Sequence, residues 1–181
     1  MDRALIEKAQ TGDRDAFAAI VLDVSDGLYT LAHRILRDPH LAQDAYQNAL
    51  ISTWKQLPML RDPDRFDAWV QRIVVHACYA ESRRRTRWAA NIRVLEIEGS
   101  RTRDHSGSVV DRDELESGFR LLPVDQRAVF VLHHHIGLSL VEIADTLGIP
   151  AGTARSRLHY ATRSLRRSLE EPAVIELESL A

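Results

Sequence analysis

Apolar side chains recur at steps of three and four along most of this chain. The first series runs Phe17, Ile20, Val21, Val24, Leu28, Leu31 and Ile35. A second runs Leu41, Ala45, Leu50, Trp54 and Leu57, and a third Phe66, Trp69, Val70, Ile73, Val74 and Ala77. Such steps place side chains on one face of an α-helix. Asp38-Pro39 and the two prolines between Leu57 and Asp64 separate the series, because proline ends a helical run. The pattern predicts a three-helix bundle, preceded by a short helix over Arg3–Gln10. The periodicity then fades. Residues 88–112 are rich in Gly, Ser, Thr, Asp and scattered Arg, a composition that suits a flexible linker. So long a connection argues for two domains rather than one. Helical patterning returns over Asp113–Leu122, Val124–His135, Leu140–Leu147 and Ala151–Leu169. No segment reads as a strand, so the expected class is all-α. Two small helical domains, 1–87 and 113–170, would be joined by the linker 88–112 and followed by an acidic tail, 171–181.

The last two helices carry the clearest local signal. Ser139 can cap a helix that Gly148 then ends, since glycine takes the left-handed conformation at no steric cost. Pro150 suits the start of the next helix, and small Ala144 and Ala154 allow close approach across the turn. This is the pattern of a helix-turn-helix, whose second helix enters the DNA major groove. Unrolled at 3.6 residues per turn, that second helix puts Ala154, Leu158, Ala161 and Leu165 on one side. Ser156, His159, Tyr160 and Arg163 fall on the other, with Arg155 and Arg157 at its edges. Donors in the middle suit base edges, and cations at the sides suit phosphates. Thr153 and the free N–H groups of the first turn can hold a further phosphate. A merely solvated arginine-rich helix would explain the charge but not the turn.

Charge sharpens the picture. The formal net charge is −2, which is unexpected for a nucleic-acid binder. Yet residues 151–169 hold five arginines and no acid, and Arg83-Arg84-Arg85-Thr86-Arg87 forms a second basic run. Screening limits a charge's reach to roughly 8–10 Å, so local charge governs phosphate attraction. On the third helix Arg72, His76, Tyr79 and Arg83 form a stripe beside the apolar one. Cations interleaved with rings suit single-stranded nucleic acid, although a basic helix end also complements the helix dipole.

Other features exclude function classes. Hydrophobic residues make up 45% of the chain, enough for a packed core. No apolar run approaches the ~18 residues of a membrane span, and the polar start predicts no secretion signal. These features predict a cytoplasmic protein. Cys78 is the single cysteine, so it forms no internal disulfide, and it reads as a core-edge residue. His133-His134-His135 point about 100° apart on a helix and cannot grip one metal ion. The acidic tail reads as a frayed terminus. No catalytic or cofactor-binding motif occurs, so neither an enzyme nor a cofactor is expected.

The order and spacing of these residues resemble the extracytoplasmic-function (ECF) group of the sigma-70 family of bacterial RNA polymerase sigma factors. Ala42-Gln43-Asp44-Ala45-Tyr46-Gln47 through Trp54 is similar to part of region 2, and Phe66-Asp67-Ala68-Trp69 with Ile73 and the arginine run to its end. Leu122-Pro123, Gln126-Arg127, Gly137-Leu138-Ser139, Glu142-Ile143-Ala144, Leu147-Gly148-Ile149 and Gly152 to Leu158 resemble region 4. The likeness covers about residues 10–87 and 113–169. It implies that Asp44 and Gln47 meet the clamp helices of core polymerase. It implies that the loop from Leu57 to Arg65 captures an unpaired base of the −10 element. Arg65, Arg72, His76, Tyr79, Arg83 and Arg84 would then hold the melted strand. Region 4 would read the −35 duplex through Thr153, Arg155, Ser156, Arg157, His159, Tyr160 and Arg163, and would dock on the polymerase flap. An anti-sigma factor is a further implied partner. The chain departs from the family pattern at Asn48, Val75, His76, Ala80 and Ala154. The alternative is a stand-alone helix-turn-helix regulator whose bundle senses or dimerises.

Overall fold

The computed structural model describes residues 1–95 and 118–170, with side chains over 1–88 and 118–168. Every regular element among the described residues is helical, as the periodicity predicts. Helix α1 spans Arg3–Gln10, α2 Arg14–Leu36, α3 Pro39–Gln56 and α4 Phe66–Leu95. After a helical stretch at 118–121 come α5 (Val124–His134), α6 (Leu140–Leu147) and α7 (Ala151–Glu170). Helix α4 thus runs into the stretch read as linker. The remainder of that linker, the first part of the Asp113–Leu122 helix and the acidic tail lie outside the described residues.

Aspartates start the first three helices. Asp2 accepts from the Ala4 amide at 2.9 Å, and Asp13 from Asp15 and Ala16, both at 3.0 Å. Asp38 accepts from His40 and Leu41 at 3.0 and 3.1 Å, with Pro39 next in the first turn. Each cap satisfies amides that a helix leaves without partners. Short turns then fold α2, α3 and α4 together. Ile20, Leu31, Ile35, Ala45, Phe66, Val70 and Val74 are buried between them. Phe17 stacks on Trp54 with ring centroids 4.8 Å apart.

The C-terminal helices bury Val129, Leu132, Ile143, Leu147 and Ala154. These residues do not form a core of their own. They join one continuous cluster with Val74, Val75 and Cys78 of α4 and Leu28, Leu31 and Ile35 of α2. Helix α5 packs on α2 and α4, and α6 packs on α4. A smaller cluster of Leu122, Ala161 and Leu165 lies at the far side of α7.

Candidate nucleic-acid interface

The helix-turn-helix is built as its residues dictate. The Ser139 hydroxyl accepts from the Glu142 amide at 3.3 Å, and Glu142 accepts from the Ser139 amide at 2.8 Å. This reciprocal capping box starts α6. Gly148 stops it at φ 65°, donating to the carbonyls of Ala144 and Asp145. The Pro150 carbonyl then accepts from Ala154 at 3.1 Å and opens α7.

On α7 the two faces separate cleanly. Ala154, Ala161 and Leu165 are buried. Arg155, Ser156, His159, Tyr160 and Arg163 are exposed, and Thr153 and Arg157 are half-buried. Tyr160 is 55% exposed, which is unusual for a large ring and leaves it available to a groove. The Ser156 hydroxyl donates back to the Thr153 carbonyl at 3.0 Å. Arg157 is held by Asp125 of α5 at 3.0 Å, a partner that sequence spacing gives no means of finding. Arg155 and Arg163 have no carboxylate partner among the described residues.

The basic stripe of α4 is less open. Arg72, His76 and Arg83 are exposed, whereas Tyr79 is half-buried. The Tyr79 hydroxyl is buried without a hydrogen-bond partner. Burial pushes its pKa up to about 12, and Arg157 and Asp125 lie close enough to act on it. Burial likewise holds His76 below the usual histidine value, with Arg72 and Arg83 adding to the effect. The imidazole is therefore neutral near pH 7. Arg72 reaches across to the helix-turn-helix. A Cβ placed on Gly148 would stand 3.1 Å from its Nη2.

Ion pairs further order the end of α4. Arg84 bonds Asp44 of α3 at 2.9 Å and Glu81 at 2.8 Å. Arg85 bonds Asp38 at 2.9 Å. A residue expected to meet DNA, Arg84, is thus tied to one expected to meet polymerase, Asp44. Gln47 is exposed on the same face of α3 as Asp44, and Ile51 continues that face at 53% exposure. Glu81 is buried and accepts from Asn48 at 3.0 Å.

The loop from Leu57 to Arg65 folds as two short 3-10 turns, Leu57–Met59 and Pro63–Arg65. Helix α1 anchors it, which the sequence pattern does not reveal. Gln10 donates to the Leu57 and Leu60 carbonyls at 3.1 and 2.7 Å. Arg3 bonds Asp64 at 2.9 Å. Beside the loop lies an open groove of about 890 Å³, with Arg61, Arg65 and Arg72 on one side and Glu142, Asp145 and Thr146 of α6 on the other. Asp62, Asp64 and Asp67 also line it.

The remaining features are structural. Cys78 is fully buried, and burial pushes its thiol up to about 12. It is therefore unreactive. His133 Nδ1 is 2.8 Å from the Leu138 carbonyl, and His134 packs on Phe130. No cluster of His, Cys, Asp and Glu suited to a metal occurs among the described residues. No described helix is long and apolar enough to cross a membrane.

Comparison with known proteins places this geometry among relatives. Residues 20–88 match the family model for sigma-70 region 2, and residues 119–167 match that for sigma-70 region 4. The chain is 28% identical over 183 residues to the ECF RNA polymerase sigma factor SigW of Bacillus subtilis, covering 94% of this chain and 98% of the relative. It is 32% identical over 159 residues to the RNA polymerase sigma-E factor of Streptomyces avermitilis, covering 85% of each. Among solved structures it is similar to CnrH in complex with the cytosolic domain of CnrY, with TM-score 0.64, 25% identity, and coverage of 93% and 97%. Its fold also matches the sigma factor RpoE of Bartonella quintana, solved with the anti-sigma factor NepR. There the TM-score is 0.67, the identity 23%, and the coverage 85% and 96%.

Proposed function

The chain belongs to the ECF group of the sigma-70 family, and from that premise we propose how its residues divide the work of transcription initiation. As an ECF sigma factor it directs core RNA polymerase to promoters and assists DNA melting. Its task is recognition and positioning, so the reading is of a polymerase subunit rather than an enzyme, acting in the cytoplasm. The observation that carries the assignment is the two-faced helix α7, with Ala154, Ala161 and Leu165 buried opposite exposed Ser156, His159, Tyr160 and Arg163.

In this reading Ser156, His159, Tyr160 and Arg163 read the edges of the −35 duplex, while Thr153, Arg155 and Arg157 take phosphates. On the first bundle, Arg65, Arg72, His76, Tyr79, Arg83 and Arg84 follow the melted −10 strand. A neutral His76 and the Tyr79 ring supply stacking surfaces, and the arginines supply charge. The loop of residues 57–65, braced by Gln10 and Arg3, receives an unpaired base. Asp44 and Gln47 face the polymerase clamp, and the C-terminal domain meets the flap. The solved relatives pair with CnrY and NepR, and a protein inhibitor of that kind is proposed as a partner here too. Domain limits of 1–87 and 113–170 are retained as the two functional units.

The test is reconstitution. Purified chain and core polymerase should give promoter-specific transcripts from genomic templates. No transcript, with no binding to core, would overturn the reading. Within it, Arg155→Ala should weaken duplex binding at all sequences and lower the salt slope by about one. Ser156 or Tyr160 substitutions should change base preference at the −35 element instead. An unchanged preference would show that the face is misassigned.

A further inference from the structure

The cations of α7 continue past the residues that face the −35 bases. Arg163, Arg166 and Arg167 are exposed along its last turns, and none has a carboxylate partner among the described residues. Two of them meet at a small cleft of about 380 Å³ between α5 and α7, lined by Gln126, Tyr160, Arg163, Ser164 and Arg167. Every one of these side chains can donate a hydrogen bond, and none is acidic. The carboxylate next in sequence, Asp125, is already engaged, by Arg157 at 3.0 Å and by the Gln126 amide at 3.0 Å. Donors with two full positive charges and no acid suit an anion. Tyr160 and Arg163 belong also to the face that reads the duplex, so the cleft continues that face. Length decides which part of the duplex it meets. A helix rises 1.5 Å per residue, which puts Arg167 roughly 16 Å along α7 from Ser156. The major groove is only about 12 Å wide. With Ser156 and His159 at base edges, as suits the N-terminal part of a recognition helix, the straight helix has left the curved groove by Arg167. Backbone lies there, not base edges.

We propose that this cleft is a phosphate clamp, in which Arg167, Gln126 and Ser164 hold one backbone phosphate at the edge of the −35 element. Arg163, at the border, serves both the clamp and the base edges. The guanidinium of Arg167 supplies the planar fork that a phosphate accepts, and Gln126 and Ser164 supply single donors. The Arg157–Asp125 pair joins the same two helices one residue from Gln126, and so sets the spacing of the cleft's two walls. The clamp carries no sequence information. It adds affinity and fixes how far α7 enters the groove. It rests on the reading that α7 binds the −35 duplex, and its test separates the two.

The chain assembled with core polymerase is titrated onto promoter duplexes in which one phosphate at a time, in and around the −35 element, is replaced by a neutral methylphosphonate. Several positions should weaken the parent complex. At one of them, at the edge of the element, the penalty should be about tenfold, the worth of a hydrogen bond to a charged group. That penalty should vanish in Arg167→Ala and remain in Arg155→Ala. Arg167→Ala should also lower the salt slope by about 0.9 and leave base preference at the −35 element unchanged. Gln126→Glu puts a carboxylate into the cleft. It should weaken binding to the natural duplex, and the neutral phosphate at the same position should restore part of the loss. Penalties that Arg167→Ala leaves unchanged at every position overturn the clamp. Weaker binding in that variant with those penalties intact would assign Arg167 to an acidic surface of polymerase instead. A shifted base preference overturns the clamp too, since it would set Arg167 at a base edge. The duplex reading is judged separately. It fails if no methylphosphonate in the element weakens the parent and Arg155→Ala leaves the salt slope unaltered.

Discussion

At the scale of single residues, Tyr79 shows how function and stability pull apart. A buried hydroxyl with no partner costs about 1–3 kcal/mol, and the Tyr79 hydroxyl is such a group. Tyr79→Phe should therefore raise the melting temperature of the free chain, by roughly 2–4 °C for each kcal/mol in a protein of this size. The same change should reduce promoter opening by polymerase, because the proposed strand contact of Tyr79 then lacks its hydroxyl. Thermal denaturation and permanganate reactivity of unpaired thymines read the two effects. A lower melting temperature would show that the hydroxyl has a partner after all. The outward residues of α7 were legible in the sequence, since a period of 3.6 fixes which side chains oppose Ala154, Ala161 and Leu165. Burial of Tyr79 was not, nor were the pairs Arg157–Asp125 and Arg84–Asp44. Those pairs join positions brought together only by tertiary packing, forty residues apart in the second case.

At the scale of elements, the helix starts and stops were readable because each is a local arrangement. Asp38-Pro39, Ser139 with Glu142, and Gly148 each act within four residues of their own position. The end of α4 was not readable. Its apolar stripe fades after Tyr79, where its contact with the apolar core ends, yet Arg and Ala are strong helix formers and sustain the helix to Leu95. The turn provides a quantitative test. Ser139→Ala should cost about 1 kcal/mol by removing the capping box. Gly148→Ala should cost roughly 1–2 kcal/mol from its left-handed backbone alone. Contact with Arg72 should add to this, because the new Cβ meets the guanidinium. Repeating Gly148→Ala in an Arg72→Ala background isolates that second part. Urea denaturation should show a smaller penalty there. Equal penalties in both backgrounds would mean that the guanidinium moves aside freely, and that the turn bears little on α4.

At the scale of the whole molecule, the sequence pattern separates two groups of helices but says nothing of how they meet. Apolar periodicity marks which positions are buried, not which partner buries them, so the shared core of α4, α5 and α6 could not be anticipated. Burial also has a consequence for pH. His76, His134 and His135 are all held below the usual histidine value, in each case chiefly by burial. Arg72 and Arg83 add to this at His76, His133 at His134, and Arg34 at His135. A lowered value means that the unfolded chain binds protons first as the pH falls. Stability from these groups is therefore complete above about pH 6.5, the unfolded histidine value, and is lost as pH drops toward the folded values. Glu142 adds a loss of the same sign at lower pH, because its cap bonds with Ser139 favour the carboxylate. Arg127, pushed down to about 10 by burial, stays charged throughout and contributes no slope in this range. The melting temperature should then be level from roughly pH 7 to 8 and should fall on acidification below about 6.5, before most carboxylates titrate. His76→Asn should remove part of that decline, because one of the three groups no longer titrates. A chain that melts higher at about pH 5.5 than at about pH 7 would mean that these histidines gain rather than lose by protonation in the folded state.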